Sequence, residues 1–308
     1  MFQKLSVMNN LLFSRMIIDN RIWKVSMAET TQKLVSTSWL LDHLYDPDVT
    51  VLEVSSDLEA KAYQNGHIPG AIFCFWKDLL WHETDREFAT SSELSNRLGE
   101  LGISTDSTIV LCGDPVQYGT YALWVMTMAG VRDVRILDGS RVRWIKDNNP
   151  LTSEAPTLKS IKNKTPKSNS ESRIGRVEVL NKLNSSNNIF LDVRSPEEYR
   201  GERVSPPGGF DHGAERKGRI PGAVHLFFRD LLNEDDTFIS EEDLERKFAE
   251  VGITVGGGKE IVSYCRLSHR ATLSWFALNE ILSIDKVQIY DGSWTEWGSI
   301  VGFPVEQG

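Results

Sequence analysis

The chain contains one unit twice, and this duplication constrains its fold more than any other feature. The run GHIPGA at residues 66–71 returns as GRIPGA at 218–223. In both copies 40 residues separate the proline of this run from an isoleucine in a later apolar segment, Ile109 or Ile261. Agreement in residue type and in spacing predicts two copies of one domain fold. A second repeated run is DGS, at 138–140 and 291–293.

Within each copy, short apolar runs alternate with longer amphipathic ones. The predicted strands are Val51–Val54, Thr108–Cys112 and Val134–Leu137 in the first copy, and Ile189–Val193, Glu260–Tyr264 and Val287–Tyr290 in the second. In each copy a further strand is predicted directly after the IPGA turn. The predicted helices are Ser38–Tyr45, Ser91–Leu101 and Thr120–Ala129, then Val177–Leu183, Glu241–Val251 and Thr272–Leu282. This alternation predicts an α/β fold, in which each domain has a parallel sheet with helices on both faces. Ligands of such sheets bind beyond the carboxyl ends of the strands.

The composition of the segments divides the chain into four parts. Residues 151–172 are rich in Ser, Thr, Lys, Asn and Pro and lack periodicity, which predicts a linker. The two domains are then 33–150 and 173–308. Residues 1–32 form an N-terminal extension. It is expected to be disordered, or to result from a start codon upstream of the native one, and to contribute nothing to function. Within it, residues 1–26 lack the apolar core and cleavage site of a secretory signal, and a mitochondrial transit peptide is the alternative.

Charge and cysteine usage exclude several classes of function. The net charge is −9 and no basic face offsets it, so nucleic acid is not an expected partner. No apolar run reaches the roughly 18–20 residues that span a bilayer. The three cysteines have no metal-type spacing and form no even-numbered framework, which indicates free thiols in a reducing compartment. The expected location is cytoplasmic, with the mitochondrial matrix as the alternative.

One cysteine has the surroundings of a nucleophile. Cys265 ends a strand-like segment and is followed within five residues by Arg266, His269 and Arg270 and then by a helix. Loop N–H groups, the positive end of a helix and nearby arginines all favour a thiolate and attract anionic substrates. A buried structural cysteine would not collect three potentially cationic neighbours. We therefore predict that Cys265 is the catalytic nucleophile.

The first copy serves as an internal control for this assignment. Aligned without gaps, Cys265 falls opposite Gly113, and Arg194 falls opposite Ser55. Cys112 lies one position early and has no basic neighbour. The first domain is thus predicted to be non-catalytic and to close one side of the cleft. The segment 201–217 has no counterpart in the first copy, and it could wall the active site or be a surface loop.

From about residue 33 onward the chain resembles the tandem-domain rhodaneses, the thiosulfate sulfurtransferases. The residues that carry the resemblance are the two IPGA turns, LDVRSPEEY at 191–199, YCR at 264–266 and YDGSWTEW at 290–297. The resemblance implies that the Cys265 thiolate takes the outer sulfur of thiosulfate, sulfite leaves, and cyanide or a thiol removes the sulfur from the resulting persulfide. It also implies that Arg194 binds substrate. No metal or organic cofactor is expected.

The remaining substrate-binding candidates come from the loop itself. Guanidinium groups and backbone N–H groups suit a small dianion and the departing sulfite. Some family members carry lysine two residues after the cysteine, where this chain has leucine, and Arg270 is a candidate for supplying that charge. The loop candidates, whose backbone is expected to cradle the persulfide, are Arg266, Leu267, Ser268, His269 and Arg270.

Three alternatives remain open. Relatives that use 3-mercaptopyruvate have a small, uncharged loop after the cysteine, so the basic loop here favours thiosulfate. Phosphatases and arsenate reductases need arginine six positions after the cysteine, where this chain has Ala271. A sulfur carrier that relays persulfide to a protein acceptor is also compatible with the cysteine–arginine loop.

Overall fold

The computed structural model describes residues 32–308, so the expectations for the extension at 1–31 lie outside it. The first sheet has the parallel order β1-β5-β4-β2-β3, and the second has the order β6-β10-β9-β7-β8. The strands of the first are β1 Leu34–Val35, β2 Val49–Ser55, β3 Ile72–Phe75, β4 Thr108–Asp114 and β5 Val134–Leu137. Those of the second are β6 Arg173–Ile174, β7 Asn188–Asp192, β8 Val224–His225, β9 Glu260–Tyr264 and β10 Val287–Tyr290.

Helices connect the strands and cover both faces of each sheet. The first copy contains α1 Thr37–His43, α2 Lys61–Asn65, α3 Trp76–Leu80, α4 Ser91–Glu100, α5 Gln117–Met128 and α6 Ser140–Lys146. The second contains α7 Arg176–Lys182, α8 Pro196–Tyr199, a 3₁₀ turn Phe228–Leu231, α9 Glu241–Glu250, α10 His269–Phe276 and α11 Ser293–Trp297. Helix α10 continues as a π-helix over Ala277–Ile281. The predicted α/β class, with one fold present twice, is confirmed.

The central strand of each sheet is apolar on both of its faces. In β4 the residues from Ile109 to Gly113 are buried, and in β9 only the first residue, Glu260, is partly exposed. Parallel strands with this continuous apolar character occur where helices pack on both faces. Within the described residues, no helix is both long and apolar enough to cross a membrane.

The two copies pack against each other through equivalent helices. Helix α5 of the first copy lies against α10 of the second. At their contact the hydroxyls of Thr120 and Thr272 are 2.9 Å apart and buried. These threonines stand at equivalent positions, seven residues after Gly113 and after Cys265. Equivalent residues of the two copies therefore meet near the starts of these two helices.

The segment between the two sheets has no helix or strand, and it runs along the first copy. The Ile161 N–H donates to the Gly99 carbonyl, and the Asn169 N–H donates to the Met128 carbonyl. A Cβ on Gly130, whose φ is +93°, would lie 2.2 Å from the Lys167 carbonyl oxygen. Glycine is thus required where the linker crosses the end of α5.

Candidate active site

Cys265 lies at the carboxyl end of β9, the central strand of the second sheet. Three residues later Ser268 has a left-handed backbone, with φ +66°, and α10 begins at His269. A left-handed residue lets the chain turn from strand to helix within one short loop. The predicted helix started at Thr272. The observed start at His269 brings His269 and Arg270 into the first helical turn.

The loop is tied at its back to the segment that follows β10. The carbonyls of Cys265 and Arg266 accept hydrogen bonds from the backbone N–H groups of Trp294 and Thr295, at 2.9 and 3.2 Å. The Ser293 hydroxyl accepts from the N–H groups of Cys265 and Ser268, both at 3.2 Å. The Ser268 amide is therefore bonded to Ser293, and the expectation that loop N–H groups between Arg266 and Arg270 cradle a persulfide stays a prediction. The N–H groups of the first turn of α10 have no intrahelical partner.

Asp291 links the loop to the first copy. Its carboxylate accepts from the Ser268 hydroxyl at 2.8 Å. It also accepts from both terminal nitrogens of Arg86, at 3.2 and 3.3 Å, and from Arg173 at 3.1 Å. The Asp291 side chain is 6% exposed, so these bonds are largely shielded from water. The left-handed backbone of Ser268 is thus held by a network that includes both copies of the repeat.

Arg270 is held in a buried, two-pronged ion pair. Its two terminal nitrogens donate to the Glu198 carboxylate at 2.7 and 2.9 Å. Burial by itself would lower the pKa of Arg270, but Glu198 and the nearby Cys265 raise it above its ordinary value. The guanidinium therefore remains charged next to the cysteine. Whether it also contacts a substrate stays a prediction.

Arg194 is fully buried. Its Nε and Nη2 donate to the Asp192 carboxylate at 2.9 and 2.6 Å, and Nη2 also donates to the Gly218 carbonyl. The guanidinium carbon lies 4.6 Å from the centre of the Trp294 ring. Among the described residues Nη1 has no partner, so it is the atom left for any further contact. The role of Arg194 in binding substrate stays a prediction.

His269 inserts into an aromatic cluster that belongs to the first copy. Its ring lies 4.5 Å from Trp76, 4.8 Å from Tyr118 and 4.3 Å from Tyr121, measured between ring centres. Burial, followed by the charges of Arg86 and Arg270, lowers the pKa of His269 to about 3. The imidazole is therefore neutral at physiological pH. It anchors the loop in the other copy and adds no positive charge.

Two loop candidates and one aromatic side chain lie at the edge of the site. Arg266 and Leu267 are partly exposed, and Leu267 lines a cavity of about 660 Å³ between the two copies. Tyr118 is also partly exposed. Burial raises the pKa of Tyr118, and the charges of Cys265, Arg266 and Arg270 all act on it. The first copy thus supplies part of the surroundings of Cys265, which is itself only 1% exposed.

The other two thiols have environments that suppress reactivity. Cys74 is buried, and its burial raises the pKa of the thiol to about 12. Cys112 is fully buried on β4, and burial raises the pKa of its thiol well above the ordinary value. Thiols with such pKa values stay protonated and are poor nucleophiles.

Sequence reasoning missed several residues that build this site. Glu198 belongs to a capping pattern with Ser195, and its carboxylate accepts from the Ser195 N–H at 3.0 Å. That pattern signals a helix start but does not reveal the partner Arg270. The repeated DGS run is visible in the sequence, but the sequence does not reveal that this run supports the loop. The missed residues are Glu198, Asp291, Ser293, Trp76, Tyr118 and Arg86.

A duplicated parallel α/β domain, with one cysteine in a short cationic loop at the end of the central strand, defines the class of two-domain sulfurtransferases. The rhodanese-like domain model matches residues 36–147 and 176–300. The chain belongs to the rhodanese-like family, as the resemblance predicted.

Curated relatives span nearly the same length. The chain is 40% identical over 279 residues to the sulfur carrier protein TtuD of Thermus thermophilus, covering 89% of this chain and 96% of the relative. It is 37% identical over 276 residues to a Mycolicibacterium smegmatis protein named "Putative thiosulfate sulfurtransferase", covering 89% of this chain and 98% of the relative.

Solved structures of EanB are similar in fold. A complex of an EanB variant with ergothioneine aligns with a TM-score of 0.78 and 26% identity, over 91% of this chain and 71% of EanB. A structure of EanB with a cysteine persulfide and ergothioneine aligns with a TM-score of 0.77 and 27% identity, over 90% of this chain and 70% of EanB. A cysteine persulfide is thus present in a solved structure of a protein with this fold.

Proposed function

We propose that the protein is a thiosulfate sulfurtransferase, which transfers sulfane sulfur from thiosulfate to cyanide or a thiol through a persulfide on Cys265. The observation that carries this proposal is the placement of Cys265 next to Arg270, with Arg266 in the same loop, in a chain whose net charge is −9. Guanidinium groups beside a thiol favour its thiolate form and attract small anions. The second domain, 173–308, is the catalytic one in this proposal, and 33–150 completes the site.

The first half-reaction forms the persulfide. The Cys265 sulfur, as thiolate, attacks the outer sulfur of thiosulfate, a new S–S bond forms, and the old S–S bond breaks. Sulfite leaves with the electron pair of that bond. The amides of the first turn of α10, together with Arg266, would stabilise the charge on sulfur and on the departing oxyanion.

The second half-reaction returns the enzyme to its starting state. Cyanide or a thiolate attacks the outer sulfur of the persulfide, and the Cys265 thiolate leaves. No oxidant or reductant is consumed, because the sulfur moves between two nucleophiles. The loop is held from behind by residues 293–295, so its geometry need not change between the two steps.

A second candidate acceptor is another protein. The relative TtuD is named a sulfur carrier protein, and the loop chemistry would be the same for a protein thiol. 3-Mercaptopyruvate is the alternative donor, and the cationic loop favours the dianionic thiosulfate over it.

The decisive experiment is intact-mass analysis after incubation with thiosulfate. We expect the wild type to gain one sulfur, Cys265→Ser to gain none, and Cys112→Ser to behave as the wild type. A Cys265→Ser protein that still gains sulfur, or a wild type that gains none, would overturn the proposal. Parallel kinetics with thiosulfate and with 3-mercaptopyruvate decide the donor, and kcat/KM should be higher for thiosulfate.

Charge in the loop should matter for the donor. Arg266→Ala removes one charge-assisted hydrogen bond, which is worth about 1.5–3 kcal/mol, so kcat/KM for thiosulfate should fall about 10- to 100-fold. Its midpoint of thermal unfolding should stay close to that of the wild type, because Arg266 is partly exposed. An unchanged kcat/KM would remove Arg266 from the site.

A further inference from the structure

The segment 201–217, which the first copy lacks, is a loop held in place by internal hydrogen bonds. The Asp211 carboxylate accepts from the N–H groups of Val204 and Ser205 at 2.9 and 3.1 Å. Arg203 donates to the carbonyls of Ser205 and Gly209 at 3.0 and 2.8 Å. These hydrogen bonds join residues on the two sides of a bend in the loop, and they fix the backbone just before residue 212.

The far end of the segment is anchored to the C-terminal part of the chain. Arg216 donates to four backbone carbonyls at 2.6–3.0 Å. A side chain with this many bonds to separate carbonyls has little freedom, so residues 212 and 213 are held from both directions. The carbonyls belong to Trp297, Gly298, Ile300 and Phe303.

Residues 212 and 213 meet the guanidinium of Arg266. Nη2 of Arg266 is 3.4 Å from Nε2 of His212. A Cβ on Gly213 would lie 2.8 Å from Nε of Arg266 and 3.2 Å from its Nη2. The guanidinium therefore rests directly on the backbone of Gly213, whose φ of +111° also favours glycine.

The tautomer of His212 follows from its second contact. Its Nδ1 lies 2.9 Å from the Phe210 carbonyl, which can only accept, so Nδ1 carries the hydrogen. In the neutral ring Nε2 then has a lone pair, and this lone pair faces the Nη2–H of Arg266. His212 thus accepts a long hydrogen bond from the arginine that is proposed to bind the sulfur donor.

We propose that His212 and Gly213 are positioning residues, which set the orientation of Arg266 toward the anionic sulfur donor. This inference rests on the proposed role of Arg266 in donor binding. Nε of Arg266 is buried and has no partner among the described residues. The guanidinium is consequently held by its contact with Gly213 and by the hydrogen bond to His212. A small change in the segment 201–217 would therefore move it.

Three glycines in the same segment allow a controlled test. Gly213→Ala introduces a contact with Arg266 and strains the backbone. Gly208→Ala also strains the backbone, since its φ is +93°, but its Cβ would meet nothing within 4 Å. Gly209→Ala introduces neither effect, because its Cβ also meets nothing and no positive φ is involved.

The measurement is the rate of persulfide formation against thiosulfate concentration, together with steady-state kcat and KM. Gly213→Ala should raise KM for thiosulfate about 10-fold, as expected for one misplaced charge-assisted contact. Its kcat should change little. Gly208→Ala and Gly209→Ala should keep the wild-type KM. An equal KM for Gly213→Ala and Gly208→Ala would overturn the inference.

Two further comparisons separate positioning from a general structural effect. In an Arg266→Ala background, Gly213→Ala should have no additional effect on KM, because no guanidinium remains to be displaced. His212→Phe should raise KM about 3-fold and His212→Gln, which keeps an acceptor, should restore it. Additive effects in the Arg266→Ala background, or failure of glutamine to restore KM, would contradict the inference.

The test distinguishes its own failure from that of the proposed function. If the wild type forms no persulfide from thiosulfate, the proposed function fails. If the wild type forms it and Arg266→Ala impairs it, while the variants in segment 201–217 match their controls, only the inference fails. Should Gly213→Ala not fold, the His212 pair of variants gives the same decision.

Discussion

The loop after β4 and the loop after β9 share one hydrogen-bonding frame, yet only the second has space for a nucleophile. Ser140 accepts from the Gly113 N–H at 3.0 Å, and Ser293 accepts from the Cys265 N–H at 3.2 Å. A Cβ on Gly113, however, would lie only 2.4 Å from the Gly119 nitrogen. The frame is therefore common to both copies, whereas the close approach of the Gly119 nitrogen excludes a side chain at position 113.

The two loops also differ in how their charges are balanced. In the first copy one guanidinium, Arg141, is shared by two carboxylates, Glu53 and Asp114. In the second copy Asp291 is paired with Arg86 and Arg173, two further carboxylates each hold one arginine, and the arginine that follows Cys265 has no carboxylate partner among the described residues. This difference teaches that the second copy, proposed to be the catalytic one, differs from the first in the pairing of its charges as well as in its thiol. The residues of the second set are Asp192, Glu198, Arg194, Arg270 and Arg266.

The largest expected contrast comes from removing one arginine in each copy. Arg270→Met leaves the fully buried Glu198 carboxylate without its cation, which should lower the free energy of unfolding by about 3–5 kcal/mol and abolish turnover. Arg141→Met should lower it by only about 1 kcal/mol, because Glu53 can take up a proton instead. Denaturant unfolding at pH 7 measures both. Equal losses would show that the two ion pairs are equivalent.

A smaller contrast is expected from the matched serines, which both have left-handed backbones with φ of +49° and +51°. Ser293→Ala leaves two amides of the Cys265 loop without an acceptor, so kcat/KM should fall about 100-fold, equivalent to about 2.7 kcal/mol. Ser140→Ala should cost ~1 kcal/mol of stability and leave kcat/KM unchanged. Steady-state kinetics of both variants decide the point, and a kinetic effect of Ser140→Ala would break the distinction between the copies.

The smallest effect concerns the pH dependence of stability in the first copy. Burial raises the pKa of Glu53 from 4.5 to about 7, against the opposing effect of Arg141. The folded state therefore binds more protons than the unfolded state between these values, and stability falls as pH rises from about 4.5 to about 7. Glu53→Gln should remove this decrease, so its free energy of unfolding should change less than that of the wild type over the same pH range. The exposed Glu59→Gln is the control, and parallel pH profiles for wild type and Glu53→Gln would refute this account.

Much of the fold follows from the sequence because apolar runs and their spacing are local signals. Strands β9 and β10 have the predicted bounds, Glu260–Tyr264 and Val287–Tyr290. Strands β1 and β6 were not predicted, since two residues are too few to show a period. The early start of α10 was missed because Ser268 adopts a left-handed backbone that tertiary hydrogen bonds support.

The site was predictable only in part, for a similar reason. Cys265 and the arginines of its loop are neighbours in sequence, so their chemistry could be read directly. The partners that hold them come from distant positions, as with Glu198, which lies 72 residues from Arg270. Charge partners at such separations leave no periodic signal. The contact of His212 with Arg266 is of the same kind, and the sequence left the role of that segment open.

The meeting of Thr120 with Thr272 has a consequence for how such a chain can change. Contacts between equivalent residues are the mark of an isologous interface, such as two identical subunits form. In a homodimer every substitution at the axis alters both sides at once. Because both sides here belong to one polypeptide, each threonine can be replaced alone. The helix that follows the Cys265 loop can therefore change while its counterpart in the first copy stays the same.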